Sequence, residues 1–319
     1  MLRRLDQDGI LSTLPALSGQ IGLVDGVGAA ARLTLGYARA VVADVAGNVY
    51  LADDVNKVIR RVAPDGAVSI FAGIAGQDGS VNGARGTATL EGPVAMAFDT
   101  KGDLYFADQY HGQPWLTLRK INKQGEVSSI VALPTSHGTR FALAVDQKDN
   151  IYWVHNVGNG IYRRPPGGEF SLFMPYDNAL KALNGKIGTR DYISAATLAV
   201  DSQGGLYFED VQHHVIFKLA QNGDVSHFAG TALQSGGKDG PPGIGHLPSS
   251  DYFPLMIDAN DNLYTGGQDA IRRIDTTGVI STPQLGWGTP VLSTFAIGRG
   301  VLGVLYGFTA QAVIQTPLP

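Results

Sequence analysis

Five stretches of the sequence, VYLAD, LYFAD, IYWVH, LYFED and LYTGG, end on Asp53, Asp108, His155, Asp210 and Gly267, and a weaker sixth, VLYGF, ends on Phe308. Carboxylates and a histidine at one repeated position are the parts of an acid–base site. His155, or nearby His111, would move protons, with Asp108, Glu209 or Asp210 orienting the imidazole. An aspartate here has a second reading, as the cap of the turn that follows, and this applies above all to Asp53 and Asp108. Arg39 and Arg140 stand before apolar runs, where a guanidinium could clamp a carboxylate or phosphate. Tyr110, Tyr252 and Trp115 add aromatic surface suited to a peptide, sugar or aromatic ligand. Together with Asp53 and His213, the residues Arg39, Tyr110, Arg140 and Tyr252 make the ligand-binding set.

Of the seven histidines, His111, His137, His155, His213, His214 and His246 fall in or beside long loops, and His227 does not. Histidine titrates near neutral pH and is the commonest metal ligand, so a divalent metal is the one cofactor these residues leave open. Adjacent His213 and His214 cannot chelate one ion if the chain is extended there, because neighbours on a strand point to opposite faces. The chain has no cysteine, which removes disulfides, thiolate nucleophiles and Cys-ligated zinc. No G-x-S-x-G elbow, P-loop, G-x-G-x-x-G fingerprint or flavin motif is present, so a serine hydrolase and a nucleotide enzyme have no support. A net charge of −4 and a pI near 5.9 speak against nucleic acid as a partner. No apolar run is long enough to span a membrane. The opening MLRRLDQDGILSTLPA lacks the apolar core of a signal peptide. A soluble chain is expected, in a compartment the sequence does not fix.

The elements that must carry these residues are legible from a repeat. Turns of the form Asp-x-x-(Gly/Asp)-(Asn/Asp/Gly)-aliphatic-Tyr begin at Asp44, Asp99, Asp146, Asp201 and Asp258, spaced 55, 47, 55 and 57 residues apart. Their tyrosines are Tyr50, Tyr105, Tyr152, Tyr207 and Tyr264. Apolar runs on both sides make each a hairpin, with the Asp capping its own turn. A second hairpin follows each first one, marked by Gly66–Ser69, Gly125–Ser128, Gly168–Ser171, Gly223–Ser226 and Gly278–Ser281. A sixth copy of this mark, Gly9–Ser12, opens the chain, and a degenerate AIGRGVLGVLYGF (296–308) closes it.

Radially repeated hairpin pairs with this period predict an all-β, six-bladed β-propeller of four-stranded antiparallel blades. The blades would fall near 41–93, 94–140, 141–195, 196–254 and 255–295, the sixth combining 296–319 with 1–40 in a single domain. AVIQTP (312–317) and LRRLD (2–6) both resemble the third strand of that shared blade, so closure is three-plus-one or two-plus-two. In this topology the Asp-x-x-Gly turns share one face with the serine-marked turns. Everything long and variable lies on the other, at the mouth of the central channel, where binding on a rigid scaffold usually sits.

The phrase ADDVNKVIRR (52–61) with the later AGIAGQDGSVNGA (72–84) resembles NHL-repeat proteins, and the linker form returns as SGQIGLVDGVGAAARL (18–33) and AGTALQSGGKDGPPG (229–243). The motif that names the family is altered here to Asn56-Lys57-Val58 and His213-His214-Val215. The resemblance implies a propeller and leaves the activity open. Lactonases of related fold hold calcium at inner-strand starts; the matching positions, Arg39, Val94, Phe141, Ala196 and Phe253, offer no hard oxygen ligand. The reading is a propeller that binds a small molecule, peptide or protein on its loop-rich face. The alternative is a lyase or hydrolase with a His/Asp/Arg or metal site at the same mouth.

Overall fold

The computed structural model describes residues 2–5, 11–14, 22–33, 40–109, 115–134, 141–155, 159–183, 192–249, 255–266, 271–283, 294–297, 304–309 and 312–317. The protein is all-β, a β-propeller in fold. Strands β1 (Leu2–Leu5) and β2 (Leu11–Leu14) form a hairpin, and β3 (Gly26–Val27) follows. Blade 1 is β4 (Val41–Ala43), β5 (Val49–Asp53), β6 (Val58–Val62) and β7 (Ala67–Gly73). Blade 2 is β8 (Pro93–Phe98), β9 (Leu104–Gln109), β10 (Trp115–Ile121) and β11 (Val127–Pro134). Blade 3 is β12 (Phe141–Val145), β13 (Ile151–His155), β14 (Gly160–Arg164) and β15 (Ser171–Pro175). After helix α1 (Tyr176–Ala182), blade 4 is β16 (Ala195–Val200), β17 (Leu206–Asp210), β18 (Val215–Leu219) and β19 (Val225–Gly230). Blade 5 is β20 (Met256–Ile257), β21 (Leu263–Gly266), β22 (Ile271–Ile274) and β23 (Ile280–Ser281). The chain ends in β24 (Thr294–Ile297), β25 (Val304–Thr309) and β26 (Ala312–Pro317).

The expected six four-stranded antiparallel blades are not what forms. Five blades are built on four consecutive strands each, and blade 1 adds the short β3 beyond β7. The termini instead make a five-stranded sheet in the order β2-β1-β26-β25-β24. Of the two segments that both looked like a third strand, neither displaces the other: β26 pairs with β25, and β1 adds beside it in parallel register, Arg3 opposite Ile314. Closure is therefore neither three-plus-one nor two-plus-two. Among the described residues no helix is long and apolar enough to cross a membrane.

The chain forms two compact units, Met1–His137 with Leu292–Pro319, and Gly138–Val291. In the first, Tyr50, Phe71, Leu90, Phe106 and Ile121 form a core between blades 1 and 2. In the second, Tyr152, Ile161, Tyr176, Phe208 and Phe217 join blades 3 and 4, while Tyr207, Ile216, Leu247, Leu263 and Ile274 join blades 4 and 5. Area removed from water at these contacts is the main stabilising term.

The turn motif works as its residue types require. Asp44 Oδ1 accepts the N–H of Ala46 and Asn48 at 3.0 and 2.9 Å. Asp99, Asp146, Asp201 and Asp258 repeat this with their own second and fourth following residues. The other carboxylate oxygen takes the hydroxyl of Tyr50, Tyr152, Tyr207 or Tyr264 at 3.0–3.2 Å, which explains the fixed Asp-to-Tyr spacing. The turn needs a left-handed residue, supplied by Gly47, Gly102 and Gly204 or by Asp149 and Asp261. One cation per hairpin lies across from the tyrosine, and Arg61, Lys120, Lys218 and Arg273 bind turn polar groups at 2.7–3.1 Å.

One residue earlier on the third strand, blades 1, 2 and 5 carry Arg60, Arg119 and Arg272, all buried, where blades 3 and 4 carry Tyr162 and Phe217. Each arginine ties down the loop that enters its own blade. Arg119 donates to Thr89 O, Val81 O and Asn82 Oδ1 at 2.7, 2.9 and 3.1 Å. Arg60 reaches Arg32 O, Val24 O and Asp25, and Arg272 reaches His246 O, Asp239 and Thr282. The glycine after Asp25, Asn82 or Asp239 then pairs with the outer strand: Gly26 with Val68, Gly83 with Val127, Gly240 with Ile280. These loops act as straps along the outer edge.

Candidate functional site

The repeated position at the end of the second strand is mostly structural where it is aspartate. Asp53 Oδ1 accepts the N–H of Asn56 at 3.1 Å, and its other oxygen takes the Asn56 side chain at 2.8 Å. Asp108 accepts the N–H groups of Glu91 and Gly92 at 3.0 and 2.8 Å and pairs with Arg119 at 2.7 Å, both side chains buried. Burial pushes both carboxyls above the usual range, opposed by these hydrogen bonds. Asp210 accepts the N–H of Ser194 and Gln212 and meets Nδ1 of His213.

His213 thus does in blade 4 what Asn56 does in blade 1. Both sit three residues after the aspartate and bind its carboxylate. Both precede a left-handed residue, Lys57 at φ 60° and His214 at φ 57°. His213 and Asp210 are each fully buried. Tyr176, from α1, lies near the same carboxylate, and burial first and Asp210 second push its hydroxyl far above the usual range. The spacing Asp-x-x-Asn against Asp-x-x-His carried this equivalence in the sequence.

Glu209 differs. Two residues after the repeat tyrosine, the other blades carry Ala52, Ala107, Val154 and Gly266. Glu209 is 3% exposed. Thr265, on β21 of the next blade, donates its hydroxyl to Oε2 at 3.2 Å, and Thr197, opposite on β16, accepts the Glu209 N–H at 3.4 Å. Both threonines are buried. Neither was a sequence candidate: Thr197 becomes a neighbour through the pairing of β16 with β17, and Thr265 only when blades 4 and 5 pack.

His155 ends β13 opposite Phe141, and its side chain lies outside what is described. Arg39, Tyr110, His111, Arg140 and Tyr252 lie outside the described residues. Among the described residues no group of three or more His, Asp or Glu is placed to hold a metal ion.

No protein-family model and no curated protein matches the chain. Solved structures do. A protein of unknown function from Bacteroides thetaiotaomicron is 17% identical, with a TM-score of 0.66 over 95% of this chain and 74% of that one. A streptogramin B lyase is 14% identical, with a TM-score of 0.54 over 97% and 83%. A gluconolactonase from Xanthomonas campestris is 16% identical, with a TM-score of 0.53 over 86% and 83%. The fold is that of β-propeller proteins, enzymes among them. At these identities the likeness concerns the fold alone.

Proposed function

We propose that the chain is a ligand-binding propeller of NHL type that takes its ligand at the loop-rich ends of its strands, with the Glu209 carboxyl as a polar anchor in the second unit. One observation carries this reading. Small residues satisfy the packing at this position in four other blades, yet blade 4 buries a carboxyl there, held by the Thr265 hydroxyl of the next blade. Withdrawing a carboxylate from water costs several kcal/mol before compensation, on the order given by transfer and ion-pair data. A group that breaks the repeat's own packing rule at such cost is the mark of a working site. The ligand would bring a hydroxyl, amine or cationic group to the acid. Arg140 and Tyr252, in the loops leading into blades 3 and 5, would complete the contact in this unit. Arg39, Asp53 and Tyr110 would serve the first unit in the same way.

The test separates stability from binding. Glu209→Ala places the residue of blades 1 and 2 in blade 4, so its melting temperature should match or exceed wild type. The thermal shift given by a panel of sugars, lactones, amines and short peptides should vanish. A melting point several degrees lower, with the ligand response intact, makes Glu209 a packing group and sinks the reading.

A lyase or hydrolase is the second reading, supported by the enzymes among the structural neighbours. There Glu209 would exchange a proton with the substrate, alongside His155 or His111. Glu209→Gln would then abolish turnover of a lactone or streptogramin B substrate while keeping most of the binding.

A further inference from the structure

The outer edge of blade 3 is unlike that of its neighbours. In blades 1, 2 and 5 a strap glycine pairs with the outer strand, and in blade 4 helix α1 packs against β19. The outer strand of blade 3, β15, pairs with β14 on one side, and no described residue hydrogen-bonds to its other edge. Chain length explains why. The connection entering blade 3 is 135–140, whereas those entering blades 2 and 5 are 74–92 and 231–255. At about 3.3 Å per residue the short connection reaches roughly 20 Å, and crossing four strands spaced about 4.8 Å apart uses some 14 Å of it. Only about 6 Å is left, some two residues, too little to reach an outer strand, pair with it and turn back as the long connections do. Tyr162 correspondingly replaces the arginine that would hold one.

Open strand edges are normally guarded by charge, because their unpaired N–H and C=O groups template further pairing. The segment Ser171-Leu172-Phe173-Met174-Pro175 carries no charge, and Leu172 is 41% exposed. Arg163 does not guard the edge either, since its guanidinium lies over the Phe173 ring, 4.4 Å from its centroid. Exposed acids, Glu169 and Asp177, stand just beyond the two ends of the strand.

We propose that the outer edge of β15 is a docking site for an extended segment of a partner protein, which adds to blade 3 as a further strand. The straps of this same chain show what covers the equivalent edge in three other blades: an extended segment paired antiparallel with the outer strand. The edge suits a short segment and not a second copy of the chain. Five residues span about 17 Å, so a strip one strand spacing wide, about 4.8 Å, covers roughly 80 Å², far less than the roughly 800 Å² per partner that a stable dimer buries. The partner segment would present an apolar side chain to Leu172 and basic residues at its ends to Glu169 and Asp177. Main-chain bonding supplies the affinity in this mode, and side chains the selectivity.

The test uses the full chain and a nine-residue peptide of alternating valine and threonine with lysine at each end. Binding is followed by fluorescence anisotropy and by amide hydrogen exchange. Wild type should bind the peptide, with exchange slowed within residues 171–174, since Pro175 has no amide hydrogen. N-methylation of alternate peptide residues should weaken binding tenfold or more. Leu172→Lys, a change at an exposed side chain, should weaken it at least fivefold without altering the melting curve. No binding at millimolar peptide, equal binding of the N-methylated form, or protection elsewhere on the chain overturns the proposal. So does a concentration-dependent dimer that Leu172→Lys dissociates, which would assign the edge to a second copy.

Discussion

Blades 2 and 4 solve the same problem, how to hold the loop that leads into the first strand, with different parts. Blade 2 uses a buried cation. Arg119 pairs with Asp108 and binds two strap carbonyls and Asn82, while Asp108 holds the N–H groups of Glu91 and Gly92. Blade 4 puts Phe217 at the arginine position, stacks it on Phe208 at 5.1 Å, and leaves Asp210 to be met by His213. The difference follows from the linker. An Asp/Asn-Gly strap offers carbonyls that need a donor, whereas a helical linker satisfies its own backbone and asks only for apolar contact.

The sharpest way to break this comparison is to remove the cation. Arg119→Ala leaves a buried carboxylate and two strap carbonyls without their donor. The expected cost is about 3–5 kcal/mol, the range for breaking a buried ion pair from one side. Arg60→Ala should cost less, about 2 kcal/mol, because its partner Asp25 is 51% exposed and can be rehydrated. Urea denaturation of the two variants measures the difference. An equal loss would mean that the straps are held by their glycine pairing and not by the arginines.

The next test exchanges the two turn caps. His213→Asn gives blade 4 the residue of blade 1 and should cost under about 1 kcal/mol, since Asn56 already bonds Asp53 through its side-chain amide. His213→Leu keeps the volume and removes the bond to Oδ2 of Asp210, whose Oδ1 keeps the N–H groups of Ser194 and Gln212, so about 1–3 kcal/mol is expected. If both variants lose equally, His213 is needed for its shape or its charge and the equivalence with Asn56 fails.

The hairpin turns were legible in the sequence because their chemistry is local. Asp44 bonds residues two, four and six places ahead, and a single stretch of text contains all of it. The strap arginines stand in plain view within VIRRV, LTLRKI and IRRI, and the strap loops resemble one another in the sequence. Their pairing stayed hidden because the bonds join residues 28 to 38 apart. The usable signal was co-occurrence: the arginines of blades 1, 2 and 5 go with Asp25-Gly26, Asn82-Gly83 and Asp239-Gly240 in the matched linkers ahead of those blades. The blade count failed for a different reason. LRRL and AVIQTP are both good strands, and no residue in either forbids the other, so both enter the terminal sheet. The sequence makes Glu209 a helper for a histidine; its bond to Thr265 depends on how two blades pack, which the local pattern does not encode.

The turn end of the hairpins makes a pH-dependent prediction. Burial, aided by Asp44 and Asp146, pushes the hydroxyls of Tyr50 and Tyr152 up from 10 to about 12. An unfolded chain releases these protons near pH 10, so the raised values stabilise the fold fully below pH 10 and lose that contribution as pH climbs to about 12. Absorbance at 295 nm should show a late tyrosinate step, and urea midpoints should fall steeply between pH 10 and 12. Asp44→Asn should bring the Tyr50 step earlier and leave Tyr152 unchanged. If the tyrosines ionise together near 10, the Asp–Tyr bonds are not holding the turns.

The smallest effect expected is at Lys101, within the turn that Asp99 caps. Alanine supplies the same backbone N–H to Asp99 Oδ1, a bond of 2.9 Å, and the lysine side chain is exposed. Lys101→Ala should therefore stay within about 0.5 kcal/mol of wild type and leave ligand response untouched. Asp99→Ala should cost about 1 kcal/mol or more, because two turn N–H groups lose their acceptor. A gap between these neighbours would locate the turn's stability in one carboxylate. A loss of ligand response in Lys101→Ala would move the binding face to the uniform end of the hairpins and undo the assignment of function to the loop-rich end.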